Sequence, residues 1–345
     1  MQSGTTKVLI CGGTGFVGRA LTEAFVRSGA TPRVLARSPE SARRSLPAGV
    51  DVVPGNVVTG AGLPKALDGI SIVYYLIHSM GPGAASADFA AADRLAATHL
   101  MEAARAARVD RIIYLGGLGD DAPAPSRHLE SRRDVGRILR SGSAAVTELR
   151  AGIVIGAGGS SFEMMVQLVE HLPIMICPRW IDRRCQPIAR SDLVEYLLGC
   201  HRQDATRGET YDVGGPEVLR YSEMLMRLGR SLGRPPCLVV LPRFTPGLSA
   251  HWVGYITDVT PNLARPIIDG MYVEAVCRDD RIRKIFPLPL EPFDRAASEA
   301  LAARGREPNA HRLRGGHPVR PLEGRIFRLT GRAGGPGSVE LPEVR

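Results

Sequence analysis

Lysine is nearly missing from this chain of 345 residues: Lys7, Lys65 and Lys284 are the only three among 44 basic residues. The net charge of +9 is therefore carried by arginine in an alanine-rich sequence. That pattern reflects composition more than a surface built for polyanions, and no nucleic-acid partner is expected. Eight arginines against four glutamates fall between Arg306 and Arg345, so part of the excess sits in the C-terminal segment. Long apolar runs are absent too. The longest, such as "ISIVYYLI" (70–77), fall far short of the roughly 20 residues of a membrane span. The first residues, "MQSGTTKVLI", lack a leader profile and pass directly into a strand-like run, so a cytoplasmic location is expected.

Metal-binding patterns are also missing. The six cysteines (11, 177, 185, 200, 237 and 277) contain no C-x-x-C pair, and the histidines form no H-E-x-x-H. No metal is expected, and the thiols read as small apolar residues. What remains is an ordinary globular composition, 44% hydrophobic and 23% charged, on a chain long enough for one large domain or two ordinary ones. Oligomeric state is left open.

Strand-like and helix-like stretches alternate from the start. "KVLIC" (7–11), "PRVLA" (32–36), "VDVVP" (50–54), "ISIVYYLI" (70–77), "RIIYLGG" (111–117) and "VTELR" (146–150) are short apolar runs separated mainly by helical patterns. The order predicts a doubly wound parallel sheet of the α/β class. After Arg150 the rhythm changes. "SSFEMMVQLVEHL" (160–172) is a helix whose Met, Phe and Leu residues read as core. It follows the sixth strand, where a ligand could rest on it. The stretch from about 235 to 305 is Pro-punctuated and mainly helical. The chain thus divides into a dinucleotide-binding core (1–158), substrate-region helices interleaved with the last strands (159–305), and a Gly-, Pro- and Arg-rich tail (306–345) expected to lack structure.

"VLICGGTGFVGRALTEAF" carries the strongest chemical signal. The turn Gly12, Gly13, Thr14, Gly15, Phe16, Val17 and Gly18 fits G-x-G-x-x-G from Gly13 and G-x-x-G-x-x-G from Gly12. Between a strand and a helix, such a turn lets main chain approach a pyrophosphate while the helix N-terminus offers free N–H groups. At the end of the second strand an NAD site usually carries an acid. Here Arg37 and Ser38 stand there, with Arg43 and Arg44 behind. A guanidinium suits a 2′-phosphate, so NADP(H) is favoured, with NAD(H) as the alternative. Asn56, Val57, Leu76, His78 and Gly116, at or just beyond other strand ends, complete the candidate cofactor crevice.

With these residues and "YLGGLGDD…SRHLESRRDVGRILRSG…TELRAGIVIGAGGSSFEMM" in view, the chain resembles the NmrA-like, NAD(P)H-binding subgroup of the atypical short-chain dehydrogenase/reductases, from about Lys7 to Leu301. The resemblance implies a Rossmann-type seven-stranded sheet and a smaller, mostly helical C-terminal substrate region. Active members of the wider superfamily use a serine and Tyr-x-x-x-Lys. By that likeness the serine position falls near Gly116 or Gly117, and the Tyr and Lys positions fall on His128 and Arg132. The usual proton donor is therefore absent.

His128 and Arg132 lie one helical turn apart, and imidazole can protonate an enolate near neutral pH. Arg132 could hold ribose hydroxyls or steady an oxyanion. His78, at a strand end, is a second proton-donor candidate. The alternative leaves His128 as a polar packing residue and Arg132 paired with Glu130 or Asp134. Two functions stay open: an NADP(H)-dependent reductase of a small, largely apolar carbonyl, enone or quinone-like substrate, and a non-catalytic NADP(H)-binding redox sensor or complex-stabilising module.

Overall fold

Val8–Cys11 form β1, four consecutive apolar residues that are all buried. A strand without a polar face needs cover on both sides, and the rest of the architecture supplies it. The computed structural model describes residues 7–77, 89–119, 126–241, 272–304 and 326–328. Its strands continue with β2 (Arg33–Ala36), β3 (Asp51–Pro54), β4 (Ile72–Tyr75), β5 (Arg111–Gly117), β6 (Ala145–Ala151) and β7 (Val154–Ile155). Then come β8 (Ile174–Pro178), β9 (Arg184–Cys185), β10 (Ile188–Ala189), β11 (Thr210–Val213), β12 (Leu219–Arg220), β13 (Cys237–Leu241) and β14 (Ile326–Arg328). Seven strands make the main sheet in the order β3-β2-β1-β4-β5-β6-β11, parallel throughout. The order reverses between β1 and β4, which opens a crevice at their C-terminal ends.

The helices are α1 (Phe16–Arg27), α2 (Pro39–Ser45), α3 (Leu63–Leu67), α4 (Phe89–Ala106), α5 (Arg127–Arg140), α6 (Ser160–His171), α7 (Arg190–Arg202), α8 (Tyr221–Ser231), α9 (Arg281–Ile285) and α10 (Phe293–Ala303). Leu21 and Phe25 of α1 meet Leu193 and Leu197 of α7 over Tyr74 on one face of the sheet. Leu67, Leu100, Val135 and Leu139, from α3, α4 and α5, close the other face over Tyr75 and Tyr114. This is the doubly wound sheet that the alternating pattern predicts.

A third core belongs to the C-terminal region. Phe162, Met164 and Met165 of α6 pack there with Met224 and Leu228 of α8 and Ala297 of α10. Phe162, Met164 and Met165 of "SSFEMM" are thus buried in a core of their own. The stretch after residue 235 contributes a strand as well as helices, since β13 pairs with β8. The C-terminal tail also needs a correction. Ile326–Arg328 pair in parallel with β13, so this part of 306–345 is a strand. "RIFRL" is a short apolar stretch that a Gly-, Pro- and Arg-rich average conceals. The rest of the tail lies outside the described residues. No helix among the described residues is long and apolar enough to cross a membrane.

Candidate active site

The glycine turn follows β1 and faces the switch point. Gly12 adopts φ +93°, and a Cβ there would lie 3.1 Å from the main chain of Leu76. Its carbonyl accepts from Gly15 N–H at 2.9 Å, closing the turn. Gly18 is the tighter constraint, because a Cβ there would fall 2.0 Å from the Gly12 oxygen. Helix α1 starts after Gly15 with no side-chain cap and no acid in its first turn. The first N–H groups of a helix have no partner within it, so those of Phe16, Val17 and Gly18 are open to an anion. A cradle that a Cβ would fill, at an uncapped helix end, fits a dinucleotide pyrophosphate. Thr14 and Gly15 are exposed at its tip.

Across the crevice, Leu76 N–H donates to the Cys11 carbonyl at 3.0 Å, so β4 follows the turn closely. Phe16 adds a contact that the sequence did not flag. Its ring lies under the Arg190 guanidinium, 5.0 Å from the ring centroid. Gly156 and Gly159 approach the same ring so closely that a Cβ on either would come within 3.0 and 2.8 Å of its Cζ. Arg190 also donates to the Ala157 carbonyl at 3.2 Å. Burial, and then the neighbouring Arg19, hold the Arg190 pKa below the ordinary guanidinium value. The glycine run "IGAGGSS" was the available signal for this clasp.

At the far end of the crevice, β2 delivers Arg37 and Ser38, both exposed. No acid stands there; the nearest in sequence is Glu40 on α2. Arg43 donates to the Val52 carbonyl at 3.2 Å and so belongs to β3, while no ion pair among the described residues holds Arg37. Asn56 uses its side chain inside its own loop, accepting from Val58 N–H at 2.9 Å. Val57 is buried beneath α3 and α4. These two residues shape the loop after β3.

Helix α5 begins at Ser126, whose hydroxyl accepts from Leu129 N–H at 3.4 Å. His128 is half-buried in the first turn, and Arg132, one turn on, is buried. The Arg132 guanidinium donates to the Ile77 carbonyl at 3.0 Å and to the Leu115 carbonyl, so it spans the ends of β4 and β5. It lies 5.0 Å from the centroid of the Tyr114 ring, and Tyr114 donates back to the Arg132 carbonyl at 2.8 Å. The expected alternative partners do not take it: Asp134 pairs instead with Arg137 and Arg94. Arg132 is thus a strut between helix and strand ends.

The missing serine has a packing reason. A Cβ on Gly116 would meet the Glu148 Oε1 at 2.5 Å, and one on Gly117 would meet Leu129 at 3.0 Å. Glu148, buried and paired with Arg140, fills the space a residue-116 side chain would need. His78 lies outside the described residues. Among the described residues, no three His, Cys, Asp or Glu side chains converge as metal ligands.

Residues 12–153 match the model of an NAD(P)H-binding family, covering the turn, the switch point and the strand ends through β6. That stretch is similar to an NAD(P)H-binding domain, and the seven-stranded parallel sheet around it is Rossmann-like. The chain is 28% identical over 268 residues to a ceramide reductase of Caulobacter vibrioides, covering 76% of this chain and 81% of that protein. A 4-hydroxy-2-methyl-3-oxo-4-farnesyl-3,4-dihydroquinoline-1-oxide ketoreductase of Stigmatella aurantiaca is 28% identical over 109 residues. That match spans 32% of this chain and a third (33%) of the relative's length. Among solved structures, the triphenylmethane reductase of Citrobacter sp. complexed with NADP(H) superposes with a TM-score of 0.69 at 16% identity, over 85% of this chain and all (100%) of that one. At that identity the likeness is one of fold.

Proposed function

We propose that the chain is an NADPH-dependent reductase acting on a carbonyl, enone or quinone group of a largely apolar substrate. The observation that carries this reading is the pairing of an uncapped glycine turn at the switch point with Arg37, rather than an acid, at the end of β2. The turn would hold the pyrophosphate through the N–H groups of Phe16, Val17 and Gly18. Arg37 would meet a 2′-phosphate through charge-assisted bonds. NADPH held there would supply the hydride for the reduction.

Arg132 acts here by position. By tying α5 to the ends of β4 and β5 it fixes the helix that carries His128. His128 is the residue on that helix that can deliver a proton to the substrate oxygen near neutral pH. The ketone-and-farnesyl name of one relative and the ceramide name of another support an apolar substrate.

The packing of Glu148 against Gly116 favours a second reading, a non-catalytic cofactor-binding module, because no hydroxyl can polarise a carbonyl at that place. Turnover separates the two. Once NADPH binding is established by titration, a screen of enones, quinones and long-chain ketones is followed by NADPH absorbance. Oxidation that depends on substrate, and that falls by about 10²–10⁴ in His128→Ala, supports the enzyme. Tight NADPH binding with no oxidation across the screen supports the module.

A further inference from the structure

Two of the four large apolar side chains exposed among the described residues, Ile174 and Ile176, sit two apart on β8 and are 53% and 54% exposed. Strand β8 is the edge of a small sheet ordered β14-β13-β8. Its inner face is ordinary. Met175 and Cys177 of β8, with Leu238 and Val240 of β13, pack into the core that contains Phe162 and Met165 of α6. The outer face departs from the usual rule. A sheet with one solvated side alternates apolar and polar residues. Here the outward residues of β8 are Ile174 and Ile176, and their registered neighbours on β13 are Cys237 and Val239, with Leu241 next. None is polar.

Cations stand at both ends of this strip. Arg179 follows β8 and Arg234 precedes β13; both are exposed, and neither is in an ion pair among the described residues. The acids on α6, the helix leading into β8, are not available to balance them, because Glu163 and Glu170 are both held by Arg304. The charges decide between occupants. A second copy joining edge to edge across a twofold axis would run β8 antiparallel to itself. Arg179 of one copy would then approach the end of the other strip where Arg234 stands, and like charges would oppose the pairing. An apolar strip flanked by two exposed arginines outside any described ion pair instead complements a surface that is anionic outside and apolar just beneath.

We infer that this face docks on an anionic phospholipid bilayer, with Ile174 and Ile176 entering the headgroup boundary and Arg179 and Arg234 on the lipid phosphates. The inference deepens the proposed function by making the substrate a membrane-resident lipid, presented beside the region whose core backs the strip. Docking itself requires no turnover, so the two readings fail separately.

The test is co-sedimentation of the full chain with phosphatidylglycerol/phosphatidylcholine vesicles and with vesicles of phosphatidylcholine alone, at low and high salt. Wild type should sediment with the anionic vesicles and be released by salt, and it should stay in solution with the neutral ones. Ile174→Ser/Ile176→Ser and Arg179→Glu/Arg234→Glu should each bind at least tenfold less, with melting temperature and NADPH affinity unchanged. If the isoleucine variant misfolds, the arginine pair decides. Wild type remaining in the supernatant, or a folded variant pair sedimenting like wild type, overturns the inference. So does a dimer, seen by analytical ultracentrifugation, that the isoleucine variant dissociates while vesicle binding is absent. Absence of NADPH binding would remove the proposed function and leave the docking result standing.

Discussion

The Arg132 guanidinium donates to the Ile77 carbonyl at 3.0 Å, joining a residue of α5 to the chain just beyond β4. The lysine position of the superfamily pattern is thereby occupied by a residue whose hydrogen bonds go to main-chain carbonyls. Arg132→Met would leave the Ile77 and Leu115 carbonyls without this donor, and hydrogen bonds to a charged group contribute about 1.5–3 kcal/mol. The expected outcome is a lower melting temperature together with weaker cofactor binding. A variant that loses cofactor affinity at an unchanged melting temperature would make Arg132 a ligand contact and not a strut.

Gly116 and Glu148 make a paired prediction. Gly116→Ser, at one of the two places where the resemblance would put a serine, places a Cβ 2.5 Å from the Glu148 carboxylate. Overpacking of that kind costs about 1–3 kcal/mol, so the variant should melt earlier and gain no activity. Adding Glu148→Ala should return part of the loss, because Arg140, the partner left behind, is partly exposed. Denaturant titration of the single and double variants measures the coupling. Additive losses would mean that the two residues do not compete for space.

His201 sets an acid-side prediction. Burial first, then Arg202 and Arg111, hold its pKa below 6.5, while its ring stacks on Tyr74 with centroids 6.4 Å apart. The unfolded chain therefore binds a proton below about pH 6.5 that the folded chain resists, and stability falls as pH drops through that range. Melting temperatures from pH 7.5 to 5 should decline for wild type and decline less for His201→Phe. Parallel curves would assign the acid sensitivity to other groups.

The β13 edge offers a fourth test. Truncation after Arg304 removes β14 and its pairing with Leu238, Val239 and Val240. A small loss of this kind, about 1 kcal/mol, corresponds to a drop of roughly 2–4 °C. Truncation after Leu329 should spare the pairing and the melting temperature. Equal melting of both truncations and the full chain would show that β14 adds nothing to stability.

Much of the main sheet was legible because its signals are local. A buried strand such as Val8–Cys11 and a glycine turn before α1 announce themselves within a few residues. Contacts made across the chain were not. Glu148 reaches Gly116 from a neighbouring strand, and Arg190 reaches Phe16 from α7; neither spacing leaves a pattern in sequence. Arg111, which opens β5, is buried and donates to Thr147 and Thr206, partners that its place in "RIIYLGG" does not reveal. Ile326–Arg328 escaped notice because a three-residue strand is too short to show periodicity. The candidate site divides the same way: its glycine turn was readable, whereas the carbonyl partners of Arg132 required the fold.

The central claim, an NADP(H) site defined by the glycine turn and Arg37, is tested most directly by calorimetric titration of NADPH and NADH into wild type and Arg37→Glu at fixed salt. A charge-assisted phosphate contact of about 1.5–3 kcal/mol corresponds to roughly 10- to 150-fold in affinity. Wild type should bind NADPH more tightly than NADH by a factor in that range, and Arg37→Glu should lose the difference while keeping NADH. Equal affinities in wild type, or undiminished NADPH binding in Arg37→Glu, would contradict the account.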